Sequence, residues 1–526
     1  MAGTPKSELG IHGHCPKCGS PKLGLASKAE SGNQRFRCLD CGHRTTRPLA
    51  AGEFEKRNEF KTRLPEAQTY IFTAAQNATP VHTNFWEALK HLAEFYKAEI
   101  IVSGYRYKNP TSTFTESQRN EEWWDEPVRE HLYQTRAHVN ESVEFLGDVF
   151  PQATAVRPLT GFETLTGSAS CIIPHPKVQL RTVATPAHEY PKIITTTGAV
   201  TVPNYSETRA GALGKFHHTL GAVVVEIGEE GRFSMRQISA QVNGAFYDIG
   251  KHGVIKVNHE GVTKGHKLSA LVMGDTHVDY VDPGVVEATF ADEGSICSLG
   301  DPGTLVWHDL IDMYSRNRFA DDPFIEAGKI YDGSDIVKDE LKRGWEFHDE
   351  MTGDRKSIIV PSNHTNGRMA WYMKNTDWRR DLANAEFYLE TALQMVRSVR
   401  KVDSGHTYDD PFTYWGKKLS KAKNVKFIDR DESTTVAGIE LQYHGDVGPG
   451  AARSATLLNM RRIGTKTIFA HTHEPGTEEG AMCAGTSTRL RLGYNAGPSS
   501  WMNSHVAVYP NGKRTHLFIV DGQWTY

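Results

Sequence analysis

The sequence predicts a mixed α/β (α+β) protein: a small cysteine-clipped segment, then an α/β region, then a layered β domain flanked by helices. Three observations carry that reading. Four of the seven cysteines fall together near the start. From Tyr70 onward, strand-like runs and helix-periodic runs alternate. From Leu268 onward, short β-branched runs stop repeatedly at Asp, Asn or His. At 526 residues the chain exceeds one ordinary domain. The expected divisions are 1–48, a linker at 49–68, an α/β domain of unassigned role at 69–265, and a C-terminal domain at 266–526.

Composition narrows the class. Charged residues make up 23% and hydrophobics 38%, which describes a globular chain rather than a disordered one. A net charge of −3 argues against a uniformly basic nucleic-acid coat but allows a local basic surface. No apolar run approaches the roughly 20 residues that span a bilayer, and "MAGTPKSELG" is too polar for a signal-peptide core. A cytoplasmic location without membrane contact is the expectation. Three isolated cysteines, Cys171, Cys297 and Cys483, do not read as a disulfide framework and fit a reducing compartment.

The first element is "HCPKCGSPKLGLASKAESGNQRFRCLDCGHRTTRP". Cys15 and Cys18 form one C-x2-C knuckle and Cys38 and Cys41 another, at the spacing of a four-thiolate structural zinc site. Gly19 and Gly42 follow the knuckles, where the chain must turn so that N–H groups face sulfur. So short a segment has little core of its own, and one structural zinc would supply most of its stability. Residues 1–63 hold 12 Lys/Arg against 6 Asp/Glu, a local charge of +6. Arg35, Arg37, Arg44 and Arg47, interleaved with Phe36, suit contact with a DNA backbone. A zinc clip that merely docks the N-terminus is the plainer alternative. The segment resembles the zinc ribbons at the front of transposase-type proteins.

"AAGEFEKRNEFKTRLPEAQ" reads as a short helix or linker. "TYIFTAA", "NFWEALKHLAEFYKA" and "EIIVSGY" then predict a strand–helix–strand unit, with Phe85, Leu89, Leu92 and Tyr96 on one buried helical face. "KIITTTGAVTV", "AVVVEIG" and "GRFSMRQIS" predict further strands. The pair His217–His218 reads as structural or surface rather than as a metal site.

The C-terminal domain carries the chemistry. "LSALVMGDTHVD" breaks at Gly274 into Asp275 and His277. "GTLVWHDLIDMY" ends in Asp309, "KSIIVPSNHTNG" in Asn363 and His364, and "GIELQYHGDVG" in His444. "KTIFAHTHEPG" ends in His471 and His473, which strand alternation would aim to one side. Five runs thus deliver metal-binding residue types at their C-terminal ends, where layered folds gather functional loops. Carboxylate, amide and imidazole form a mixed O/N donor set that favours Mn2+, Fe and Zn2+ over Ca2+. A carboxylate lying between two such ions would bridge them, and the pair could clamp a phosphate, acidify a water and steady a leaving oxygen.

The order D-x-H, D, N-H, H, H-x-H resembles the calcineurin-like metallophosphoesterase superfamily over about residues 266–480. That resemblance implies a metallophosphoesterase β-sandwich flanked by helices and two divalent metal ions, with Mn2+ the first choice and Mg2+, Fe or Zn2+ as alternatives. It further implies that Asp275, His277 and His473 hold one ion, that Asn363, His444 and His471 hold the other, and that Asp309 bridges them. His364 would be the catalytic histidine. The sequence departs from the family pattern at His308 and Ser362, where glycines are usual, and at Ala470. Thr365 replaces the acid that would orient His364. Asp312 and Asp446 remain as spare carboxylates nearby.

"RYKNPTS", "TTGAVTVPNY", "KFHHTLGA", "MGDTHVDYVDP" and "SNHTNGRMAWYM" are similar to the early-expressed host-DNA-degradation proteins of tailed phages that inject their genome in two steps. This resemblance covers most of residues 70–526. It implies a metal-dependent DNase acting in the host bacterial cytoplasm; on that hypothesis Lys374, Arg379 and Arg380 in "MKNTDWRRD" would grip the backbone without reading bases. The alternatives are a phosphomonoesterase for nucleotides or phosphoproteins, and a non-catalytic DNA-binding regulatory protein. A homo-oligomer is left open.

Overall fold

The computed structural model describes residues 12–28, 33–46, 48–50, 64–107, 123–187, 189–317, 322–453, 455–493 and 495–526. Arg47, residues 51–63 of the linker and residues 108–112 of "RYKNPTS" lie outside the described residues.

The cysteine segment is a small antiparallel sheet of Leu23–Leu25, Phe36–Cys38 and Arg44–Thr45. Paired backbone hydrogen bonds between His14 and Leu49 close its base. The expected strand–helix–strand unit follows as strand Thr69–Gln76, helix Thr83–Tyr96 and strand Glu99–Tyr105, the two strands parallel. The helix begins where the His82 side chain accepts the Phe85 N–H, and it ends at Lys97 in the left-handed region. Its inner face buries Phe85, Trp86, Ala88, Leu89, Leu92 and Tyr96, the helical spacing the sequence displays. Strands Gly221–Ile227 and Phe233–Ser239 complete this four-stranded sheet.

Two larger sheets position the site. The six-stranded sheet runs in the order Val425–Phe427, Lys356–Ile359, Thr304–Trp307, Ala270–Val272, Ser504–Val508, Arg514–Phe518. The ten-stranded sheet begins with Thr435–Val436, Ile439–Glu440, Thr467–Phe469, Ala481–Cys483 and Gly476–Glu478. It then continues through Gln179–Val183 into four strands that all precede residue 200. The pairing of Gly476–Glu478 with Gln179–Val183 therefore makes one sheet of strands from both sides of residue 265.

Side-chain alternation explains how the layers stack. Ala270 and Val272 face Ile468, Ala470 and Met482 of the ten-stranded sheet. Leu271 and Met273 face the other way, onto Val285, Leu341, Trp345 and Met369 of the covering helices. One sheet thus has a sheet on one face and helices on the other. Among the described residues, no helix is long and apolar enough to cross a membrane. His218 is structural, its Nδ1 2.8 Å from the Tyr205 hydroxyl and its Nε2 2.8 Å from the Thr201 carbonyl.

A buried ion cluster ties the middle region together. Arg236 donates to Asp248 at 2.7 and 3.0 Å and to Glu226 at 3.1 Å, with all three side chains almost fully enclosed. Removing one partner strands a buried charge, which typically costs about 3–5 kcal/mol. Asp248→Ala is therefore expected to lose stability in that range in urea unfolding; a loss under about 1 kcal/mol would show that the cluster is not coupled to the fold.

Candidate metal centre

The five runs that end in metal-binding residues are strands, and their directions bring those ends together. Ala270–Val272, Thr304–Trp307 and Lys356–Ile359 are adjacent and parallel, so Asp275, Asp309 and Asn363 leave the same edge of the six-stranded sheet. Ile439–Glu440 and Thr467–Phe469 are parallel in the facing sheet and deliver His444 and His471 to the same end of the stack. The loops are then stitched to one another: the His277 N–H donates to the Asp309 carbonyl at 2.7 Å, and the Ala470 N–H to the His444 carbonyl at 2.7 Å. Gly274 makes the crossing feasible, since a Cβ there would sit 2.8 Å from the backbone of Gly485, Ser504 and Thr486.

Strand alternation does not aim the H-x-H pair. The strand stops at Phe469, and His471 and His473 lie beyond it with φ of +76° and +59°. Left-handed turns swing them in instead. His277 and Asp309 share this feature, with φ of +40° and +44°. Each such non-glycine residue costs of order 1–2 kcal/mol. Four in one cluster mark a site held by its surroundings.

The side chains converge closely. Asp275 Oδ2 lies 2.9 Å from His473 Nε2 and accepts the His471 backbone N–H at 2.9 Å. Asp309 Oδ2 lies 3.1 Å from His444 Nε2, 3.6 Å from His277 Nε2 and 3.8 Å from His364 Nε2, which puts one carboxylate between several imidazoles. Asn363 Oδ1 is 3.1 Å from His444 Nε2. The His471 ring packs against that of His444 at 5.2 Å between centroids, half-buried at the rim of the cluster. Asp275, His277, Asp309 and His444 are buried.

Electrostatics hold the two carboxylates and His277 in their ligating forms. Burial pushes the Asp275 carboxyl up, yet His444 and His473 outweigh it and hold it at about 2. Asp309 is likewise held well below the carboxylate range, against burial, by His364 and His444. Burial and the neighbouring His364 push His277 down to about 4, leaving it neutral with a free lone pair. Burial pushes His444 down too, but Asp309 and Asp275 prevail and raise it to about 9. A cation taking their place would displace that proton.

Buried polar atoms normally find partners. Here Asp275 Oδ1, both ring nitrogens of His277, Asp309 Oδ1 and His473 Nδ1 are buried without a hydrogen bond. Two of the clusters, Asp275–His277–His473 and His277–Asp309–His364, each bring three donor atoms within 4.8 Å of one another. Ionised carboxylates, the neutral His277 ring and orphaned polar atoms together fit divalent cations.

Three residues gain roles that the sequence left open or missed. Asp312, a spare carboxylate on sequence, lies 3.1 Å from His364 Nδ1 and 3.4 Å from His277 Nδ1. Its carbonyl also lies 3.0 Å from His364 Nδ1, so the orienting acid absent at Thr365 is supplied from another loop. Arg368 clamps the other side, donating to Asp312 Oδ2 at 3.1 Å and to its carbonyl at 2.6 Å. His308, read only as a missing glycine, is fully buried with Nδ1 3.4 Å from His444 Nδ1. It forms a further three-donor group with Asp275 and His444. The D-x-x-D spacing from Asp309 to Asp312 was the available signal for the first; His308 carried none. Asp446 pairs with Arg430 at 2.9 Å, and its charge also acts on His444 and His471.

The N-terminal cysteines also converge. Cys15 and Cys41 sulfurs lie 3.6 Å apart, as do those of Cys18 and Cys38, and the four form one group that could hold a metal ion. Gly19 and Gly42 turn there with φ of +69° and +72°. Arg37 and Arg44 are exposed and directly opposed across two strands, while Arg35 is half-buried. Like charges so placed repel.

No protein-family model matches this chain. Along almost its whole length it is similar to a bacteriophage protein: Protein A1 of Escherichia phage T5 is 29% identical over 489 residues, which cover 91% of this chain and 86% of that protein.

Proposed function

We propose that the protein is a metal-dependent phosphodiesterase of the calcineurin-like metallophosphoesterase type that hydrolyses the DNA backbone, and that it is a phage protein degrading host DNA early in infection. One observation carries the reading: donor side chains from five strand ends meet in a single cluster, and several of its buried polar atoms have no hydrogen bond. Asp275, His277 and His473 would hold one cation, Asn363, His444 and His471 the other, with Asp309 shared. When bound, such a pair polarises a phosphate, acidifies a water and neutralises charge on the leaving oxygen.

The chain's own groups supply the rest. His364 Nδ1 is fixed by Asp312, which directs Nε2 toward Asp309 and the cluster, where it can give a proton to the departing oxygen. Arg368 holds Asp312 in that position, and against burial His364, His277 and Arg368 keep its carboxylate ionised. Beside the cluster, the Trp501 ring packs 4.1 Å from that of His473 and lines a cavity of about 710 Å3 with Tyr190, Arg489 and Arg491. Aromatic faces beside arginines suit a base and phosphate flanking the cleaved bond. The opposed Arg37 and Arg44 would be relieved by a backbone phosphate. Arg379 is a weaker candidate, since Asp377 already pairs with it at 3.3 Å.

The test is turnover of plasmid DNA against that of a deoxynucleoside monophosphate, both with Mn2+ and purified full-length protein. Nicking and degradation of the plasmid, with little phosphate release from the monophosphate, is expected. The opposite preference would make the protein a phosphomonoesterase. Inactivity on both would remove the enzymatic reading.

A further inference from the structure

A second cavity, of about 420 Å3, opens away from the metal cluster. Lys466 precedes strand Thr467–Phe469 and His471 follows it, so at about 3.3 Å per residue the two ends lie roughly 15 Å apart. Lys466, Lys513 and Arg514 line this cavity. The nearby acids are already engaged: Glu478 takes buried Lys177 at 2.8 Å, and Glu479 takes Arg461 at 2.8 Å. Among the described residues, no carboxylate pairs with Lys466, Lys513 or Arg514. Arg514 is held in place instead by the carbonyls of Thr467 and Gly480, at 2.7 and 3.0 Å.

The two lysines feel their cationic neighbours. Burial pushes the Lys513 ammonium down, and Lys466 and Arg514 push it further; Lys466 is lowered by burial and by Arg514. Burial alone brings Arg514 down to about 10. Glu479 also lines the cavity but is taken by Arg461, and like charges left without a paired counter-charge are unfavourable unless an anion joins them. The surroundings specify which anion. Thr465 and Thr477 also line the cavity and carry hydroxyls able to bond phosphate oxygens. Phe216 lines it too and is 78% exposed, in T-shaped contact with His217 at 5.0 Å between centroids, which leaves ring surface for stacking a base. The space exceeds what one small inorganic ion would fill.

We propose that this cavity is a second, non-catalytic binding site for a nucleotide unit, its phosphate on Lys466, Lys513 and Arg514 and its base on Phe216. The unit is either a free nucleotide or part of a nucleic-acid strand. The site is independent of the proposed chemistry: it stands whether or not the metal cluster cleaves DNA.

Calorimetric titration of the full-length protein without added divalent ions tests it, with dADP and a twelve-residue oligo-dA as probes. The proteins compared are the wild type, Lys466→Gln/Lys513→Gln, Phe216→Ala, and Asp309→Asn at the metal cluster. Saturable binding is expected, weakened at least about tenfold by the double lysine change and several-fold by Phe216→Ala, and preserved in Asp309→Asn. Tighter binding of the oligonucleotide would identify a strand as the occupant and tighter dADP binding a free nucleotide; either upholds the site. Absence of saturable binding, indifference to the lysines, or loss in Asp309→Asn would overturn it. The double lysine variant is also expected to melt higher than wild type in ligand-free chloride buffer, because repulsion is relieved. A fall in Tm would show that the lysines serve the fold instead, and would equally sink the proposal.

Discussion

Asp309→Asn is expected to lower plasmid cleavage by at least about 1,000-fold, roughly 4 kcal/mol of transition-state stabilisation, and to lower the Mn2+ retained per chain. The size follows from where the carboxylate sits. Its Oδ2 is the atom that His444, His277 and His364 all approach, at 3.1, 3.6 and 3.8 Å. Asparagine keeps the shape and removes the charge, so two cations would face each other across a neutral amide. Losing an outer partner of a ligand typically costs about 10- to 100-fold in affinity or activity; losing a shared charged ligand should exceed that. Metal content and cleavage are read on the same preparation, and the cysteine group gives an internal reference because its ion should stay. Normal Mn2+ loading with normal cleavage would exclude Asp309 as a shared ligand.

How much of this was legible in the sequence depends on the range of the interaction. The helix Thr83–Tyr96 was visible because its buried residues repeat at the helical period, a local signal. The candidate donors were visible because each sits after a short strand-like run, and parallel strands send such ends to one edge. What joined the sheets was not visible. Gly476–Glu478 pairs with Gln179–Val183 across some three hundred residues, and nothing in either stretch names its partner. The buried Lys177–Glu478 pair has the same origin and the same invisibility. The H-x-H pair was placed for the wrong reason: alternation was expected, whereas positive φ at His471 and His473 turns them inward. Asp312 was open to either reading because its role depends on how the loop after Thr304–Trp307 folds back over His364. His308 was hidden more completely, since a histidine in place of a glycine says nothing of which way its ring faces.

His364→Ala is expected to reduce kcat for plasmid DNA by about 100- to 10,000-fold, the usual span for a general acid, with Mn2+ content unchanged and KM little altered. His364 shares a donor group with His277 and Asp309, and the Asp312 contact at Nδ1 is what assigns it proton transfer rather than ligation. Its Nδ1 is committed to Asp312 at 3.1 Å, so Nε2 alone faces the cluster, one ring away from His277 at 4.5 Å between centroids. A group that delivers a proton to the leaving oxygen should matter less when that oxygen leaves readily. The defect of His364→Ala should therefore shrink at least about tenfold on bis-p-nitrophenyl phosphate, whose phenolate needs little protonation. Asp312→Asn should follow the same pattern at smaller size, about 10- to 100-fold on DNA, because the amide still reaches Nδ1 while no longer stabilising the protonated ring. A merely structural role for either residue would depress both substrates equally and lower the metal content with them. Equal losses on DNA and on the activated ester would thus strip His364 of its proton-transfer role even if the variant were inactive.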